Sequence, residues 1–150
     1  MSTPVSAVSP DDGTGPLLWR VTLTWQRAMR ATLEPHDLTH VQFVLLSSAW
    51  WLGEHEESPT QQRIADHAGT DAMMTGQVLR RLAARQLVTR ELDEKDANAR
   101  RIVLTETGRS VLAEALADVA VTEGGFFAAL GRDAAVFRRG LTALRDDHRV

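Results

Sequence analysis

The sequence predicts a mainly α-helical domain that carries one small β-hairpin, on three observations. Apolar residues recur at helical spacing, i, i+3 and i+4, through most of the chain. Two stretches, QLVTREL (86–92) and ARRIVLT (99–105), instead show the β-branched alternation of short strands on either side of the turn-rich DEKDAN. Between two short helical stretches stands Gly69, where a reversal of the chain calls for a left-handed residue. With 150 residues, 43% hydrophobic and 25% charged, one core is expected.

Element by element, MSTPVSAVSPDDGTG (1–15) lacks the basic and apolar regions of a signal peptide and reads as a disordered leader. A first helix is expected from about Pro16, with Leu18, Val21, Trp25, Ala28 and Met29 on one stripe, and Pro35 closes it. LTHVQFVLLSSAWWL (38–52) opens with Thr39 as N-cap and is apolar nearly all round, so it must be central. After the polar loop GEHEESP (53–59), Thr60 caps a short helix holding Ile64, Ala65 and Ala68, which Gly69 ends. Asp71 caps the next helix. Its inward stripe of Thr75, Val78, Leu79 and Leu82 leaves Ala72, Met73, Gly76, Gln77 and Arg80 facing outward. The hairpin follows. A long helix then starts after Gly108, with Val111, Leu112, Ala115, Leu116 and Val119 on its stripe, and is expected to bend or break at Gly124-Gly125. A last helix, 133–145, puts Val136, Phe137, Leu141 and Leu144 on one side.

Composition excludes several chemistries. The chain has no cysteine, which removes disulfides, thiolate ligands and thiol catalysis. No Gly-rich phosphate loop, His-Glu-x-x-His or Gly-x-Ser-x-Gly occurs, so an enzyme is not expected. No apolar run is long enough for a membrane span, and a cytoplasmic location is expected. The formal net charge of −3 argues weakly against nucleic acid, but the charge is unevenly spread. Residues 61–110 carry nine basic and seven acidic side chains, whereas the rest of the chain carries eight and thirteen.

A short helix, a Gly turn, a second helix and a two-stranded hairpin make a winged helix-turn-helix, whose second helix enters the major groove while the hairpin flanks it. The stretch PTQQRIADHAGTDAMMTGQVLRRLAARQLVTRELDEKDANARRIVLTETG (59–108) resembles the DNA-binding core of the MarR (multiple antibiotic resistance regulator) family. Its most specific pieces are RLAARQLVTRE and VLTETG, and the flanking helices match in order, from about Pro16 onward. The resemblance implies a single domain over 16–150, with a DNA-binding lobe at 59–108 and dimerisation helices at 16–34 and 109–146. It further implies a homodimeric repressor on a pseudo-palindromic operator of double-stranded DNA, released by a small aromatic or anionic effector, with no cofactor.

Carried over by position, the resemblance places Asp71, Ala72, Met73, Met74, Gly76 and Gln77 near bases and phosphates, with Arg80, Thr60 and Arg63 beside them. Gln77 is the best candidate for a base contact, because its amide pairs bidentately with adenine. At the wing, the family's Asp-x-Arg reads Asp96-Ala97-Asn98, so the usual minor-groove arginine is missing. Arg100, two residues on and projecting to the same side of a strand, is expected in its place, with Lys95 and Arg101 at phosphates. Gln86 stands where the family has Gly, so a left-handed turn there costs about 1 kcal/mol more than with Gly. Of Arg80, Arg81, Arg85 and Arg90, only one or two are expected at phosphate, the others being solvated or ion-paired.

The family's ligand pocket lies between the dimerisation helices and the DNA-binding lobe, which points to Trp19, Trp25, His36, His40, Trp50 and Trp51. A metal site is not expected. His36 and His40 have the spacing of a helical pair, but Pro35 and the Thr39 cap put His36 before the helix. The competing reading is a winged-helix dimer that binds a protein and no longer reads DNA, motivated by the missing wing arginine and the net acidity.

Overall fold

The structure, a computed structural model, describes residues 12–149. In chain order it contains α1 (Thr14–Leu33), α2 (His40–His55), α3 (Gln61–Ala68), α4 (Ala72–Ala84), β1 (Val88–Leu92), β2 (Arg100–Leu104), α5 (Glu106–Phe127) and α6 (Ala134–Asp147). The expected leader lies outside the described residues over 1–11, and its last two residues, Thr14 and Gly15, form the start of α1 instead.

Helix α2 is the hub, in contact with α1, α3, α4, α5 and β2. Its residues Leu45, Leu46 and Leu52 are wholly buried, as an all-round apolar helix requires. The N-terminus of α2 is fixed by a capping box: Thr39 Oγ1 accepts from Gln42 N and Gln42 Oε1 accepts from Thr39 N. Helix α2 runs through Gly53 to His55, so the loop expected from Gly53 starts three residues later. Helices α1 and α5 lie antiparallel, because Thr32 meets Thr122 (2.7 Å) while His36, four residues on, meets Asp118, four residues back (2.6 Å).

Helix α3 is capped by Thr60 and ended by Gly69 at φ 73°, so the reversal into α4 falls where the glycine permits it. Strands β1 and β2 pair antiparallel with Val88 opposite Leu104 and Leu92 opposite Arg100. A bridge between Thr60 and Arg101, together with Ile102 N donating to Pro59 O, ties β2 to the segment before α3. The wing is therefore anchored to the helix pair at its base.

The junctions around the hairpin are tight. Gln86 takes φ 60°, the left-handed conformation expected of it, and its carbonyl accepts from Thr105 Oγ1. Thr105 is also the N-cap of α5, which places Gly108 inside the first turn and not before the helix. A Cβ on Gly108 would stand 1.9 Å from the Leu87 carbonyl oxygen, so that position has room for hydrogen only. Gly124 and Gly125 do not break α5. The helix passes through both, since glycine in a helix interior costs only about 1 kcal/mol. The break falls at Gly131, whose φ 51°, ψ −121° lies far from helix and belongs to glycine's wider range. Beyond it, α6 buries none of its residues against the chain.

Candidate nucleic-acid interface

Helix α4 owes the orientation of its exposed face to its cap. Asp71 accepts from Met74 N at 2.8 Å, and the hydroxyls of Thr70 and Thr75 meet at 2.6 Å beneath it, which fixes the rotation of the helix about its axis. Ala72, Met73, Gln77 and Arg80 then face solvent, and Met73 is 75% exposed. Two other residues expected near DNA, Met74 and Gly76, do not lie on that exposed face. Met74 is half-buried against the core, because it continues the i, i+4, i+8 row through Val78 and Leu82. Gly76 is buried where α3 passes close: a Cβ there would lie 2.7 Å from Gln61 Nε2.

The basic residues divide into paired and unpaired. Arg63 grips Glu56 with a fork, Nη2 to Oε1 at 2.8 Å and Nε to Oε2 at 3.3 Å, which lowers the Glu56 carboxyl's pKa and raises that of the guanidinium. Arg101 is turned inward. Its Nε bonds Asp93 Oδ1 at 3.0 Å, lowering that carboxyl's pKa, while Nη1 donates to the Ser58 carbonyl and Nη2 lies 3.8 Å from Glu57. Both residues, expected at phosphates, are engaged with acids of their own chain, and Arg101 fastens the wing to the loop before α3. Thr60 is half-buried and occupied as the α3 cap.

At the wing tip, Lys95 and Asn98 are exposed, and Asn98 N donates to Asp96 Oδ1 at 2.9 Å in a local turn. Arg100 Nη1 donates to the carbonyls of Ala97 and Ala99, 3.3 Å each. Arg90, one of four arginines that the sequence does not tell apart, borders a cleft of about 540 Å³ with Gln61, Asn98 and Arg100. Its Nη2 donates to Gln61 Oε1 at 3.3 Å, while its Nε is buried without a partner. Burial first, then the charges of Arg80 and Arg100, lower its pKa. The signal in the sequence was register: Arg90 shares a strand face with core residue Val88, so it points toward the body of the lobe and not into solvent.

A second cavity, of about 970 Å³, opens between α1, α2 and the end of α4. Of the six residues expected to line a ligand pocket, His40 alone borders this cavity, and burial is the main cause of its lowered pKa, with Glu123 opposing. Trp25 packs edge-on against the His40 ring, 5.0 Å between centroids. Trp19 is 66% exposed on the outer side of α1, and Trp50 is packed against the core. Trp51 stacks on His55 and His67, and His36 is bound to Asp118. None of the four tryptophans lines this cavity, although Trp25 abuts it through His40. The polar lining comes from residues not singled out beforehand, Arg30, Gln42 and Arg85 among them. Arg85 caps the end of α4 and reaches Asp37 at 3.3 Å and Gln42 at 3.4 Å. His36 and His40 share no metal arrangement, and among the described residues no cluster of three or more suitable side chains occurs.

A helix pair joined at a left-handed glycine, an exposed reading face and a hairpin anchored beside it define a winged helix-turn-helix DNA-binding protein. Residues 38–102 match the MarR family model. Over 120 residues the chain is 38% identical to the HTH-type transcriptional regulator YdcH of Bacillus subtilis (strain 168), covering 80% of this chain and 82% of that protein. Among solved structures it is similar to CouR from Rhodococcus jostii RHA1 bound to p-coumaroyl-CoA, with TM-score 0.79 and 27% identity over 95% of this chain and 97% of that one. The fold also matches S. aureus MepR in its DNA complex, with TM-score 0.81 and 19% identity over 94% and 100% of the two chains. The chain belongs to the MarR family of transcriptional regulators, which are not enzymes.

Proposed function

We propose that this regulator is a homodimeric, sequence-specific repressor of the cytoplasm, released from a pseudo-palindromic operator by a small aromatic or anionic effector. The observation that carries the reading is the exposed face of α4, where Ala72, Met73, Gln77 and Arg80 stand free beside an arginine-bordered cleft. In the proposed division, 59–108 reads DNA while 16–34 and 109–146 dimerise. The effector site is the cavity at His40. Arg30 and Arg85 give it cationic groups, Leu38 and Val44 give it apolar wall, and Arg85 connects it to the end of the reading helix. CouR, 27% identical, holds the aromatic and anionic p-coumaroyl-CoA, which supports that ligand class.

The test is titration of the purified protein against the DNA flanking its own gene and against a random duplex, across a range of salt. Specific reading requires a Kd near ~10⁻⁸ M and a gap of about 10³ over the random duplex. Weak and equal binding to both would shift the function to a protein partner. One observation favours that second reading: Arg63 and Arg101, expected at DNA, are bound to Glu56 and Asp93.

A further inference from the structure

Both strands of the hairpin are tied to the start of α3, but in different ways. Strand β2 is held through backbone, with Ile102 N donating to Pro59 O and Thr60 bridged to Arg101. Strand β1 is held through one side chain: Arg90, opposite Ile102 in the hairpin, donates from Nη2 to Gln61 Oε1 at 3.3 Å. Gln61 is the first residue of α3, and its amide nitrogen faces α4, where a Cβ on the buried Gly76 would stand 2.7 Å from Nε2. A guanidinium only donates, so Arg90 fixes the carboxamide with its oxygen toward β1 and its nitrogen toward Gly76. One side chain of α3 thus bonds β1 and fills a notch in α4 that exists because residue 76 has no side chain.

We infer that Gln61 is a positioning residue for DNA reading: wedged at Gly76 and bonded to Arg90, its carboxamide sets the angle of the wing against α4. The inference rests on the DNA-reading function above. The ties on β2 fix where the hairpin is attached but let it pivot about that strand, whereas a second tie on the neighbouring strand, about 4.8 Å away, removes the pivot. Gln61 is the only hydrogen-bond acceptor that Arg90 has among the described residues, and the Arg90 Nε is already buried without one. Loss of Gln61 therefore leaves a half-buried guanidinium unsatisfied, with no reason to hold its strand in place. Gly76 immediately precedes the exposed Gln77, so the notch and the outward face of α4 belong to the same turn. An added methyl group at Gly76 meets Gln61 alone at too short a distance, since the next nearest group, Arg80 Nη1, stands at 3.5 Å, an ordinary contact.

The experiment measures melting temperature, and affinity for the DNA flanking the protein's own gene and for a random duplex. It compares wild type with Gln61→Ala, Gln61→Glu, Gly76→Ala and the double variant Gln61→Ala, Gly76→Ala. Gln61→Ala is expected to cut the ratio of specific to random affinity about tenfold, because a hydrogen bond to a charged group is lost. Gly76→Ala should cut it equally with little change in melting temperature, since the free end of Gln61 swings aside for the methyl group and releases Arg90. It also carries the test should Gln61→Ala fail to fold. The double variant should lose no more than either single one, as changes in one linkage do not add. Gln61→Glu keeps an acceptor for Arg90 and should keep the ratio, its negative charge weakening both duplexes alike. If Gln61→Ala and Gly76→Ala keep the ratio of a wild type that reads specifically, the positioning role is refuted while DNA reading stands. Losses that add in the double variant, or that follow the melting temperature across the series, overturn it too. If wild type shows no gap between the duplexes, DNA reading fails and the positioning role fails with it.

Discussion

Gln77 is the residue on which sequence preference should turn. It is exposed at the middle of the α4 face, with Met73 one turn before it and Arg80 just beyond, so its amide can reach a base edge while Met73 meets an apolar one such as a thymine methyl. Gln77→Ala is expected to relax preference at one or two base pairs and cost about 1–3 kcal/mol on the preferred site, with little change on random DNA. Selection of bound sequences from a randomised pool checks this, and equal loss on every sequence would sink the reading role. At this scale the sequence was legible where a local rule decided the outcome. The Thr60 and Asp71 caps and left-handed Gly69 and Gln86 follow from chain neighbours alone. Arg63 and Arg101 did not follow, because Glu56 and Asp93 reach them only after the loop and hairpin have folded.

Elements were readable in order and type but not at every joint, and the glycines show why. A glycine pair in a helical stretch suggests a break, yet backbone hydrogen bonding carries α5 through Gly124 and Gly125, and the Gly131 turn decides the end. Gly108 looked like a boundary and is a point of close approach, invisible without the Leu87 carbonyl that faces it. These roles predict opposite outcomes for the same substitution. Gly108→Ala should cost about 3 kcal/mol, since backbone must move to admit the methyl group. Gly124→Ala, where an added Cβ meets nothing within 4 Å, should stabilise by up to about 1 kcal/mol. Thermal unfolding of the two variants separates them, and a tolerated Gly108→Ala would mean that the α5 start is looser than drawn. The cavity at His40 is the least legible feature, because it is formed by how α1 and α2 meet the end of α4, a matter of packing angle that residue type does not encode.

Taken whole, the molecule leaves apolar surface that one copy cannot cover. Helix α6 has 14 residues and buries none of them, with Val136, Leu141 and Leu144 between 42% and 56% exposed. A helix of that length is marginal in water without tertiary packing, so its apolar stripe needs a partner surface. The first turns of α1 expose Leu17, Leu18, Trp19 and Val21 in the same manner. In the proposed homodimer, a second copy related by a two-fold axis would cover both stripes with one self-complementary interface and set two copies of α4 at half-sites about one DNA turn apart. The double variant Leu141→Arg, Leu144→Asp should therefore sediment as a monomer at micromolar concentration while wild type sediments as a dimer. Its affinity for the operator should fall toward that for random DNA, because one lobe then engages one half-site. A dimeric variant with unchanged operator affinity would remove α6 from the interface, and a monomeric wild type would remove the two-fold geometry on which operator reading depends.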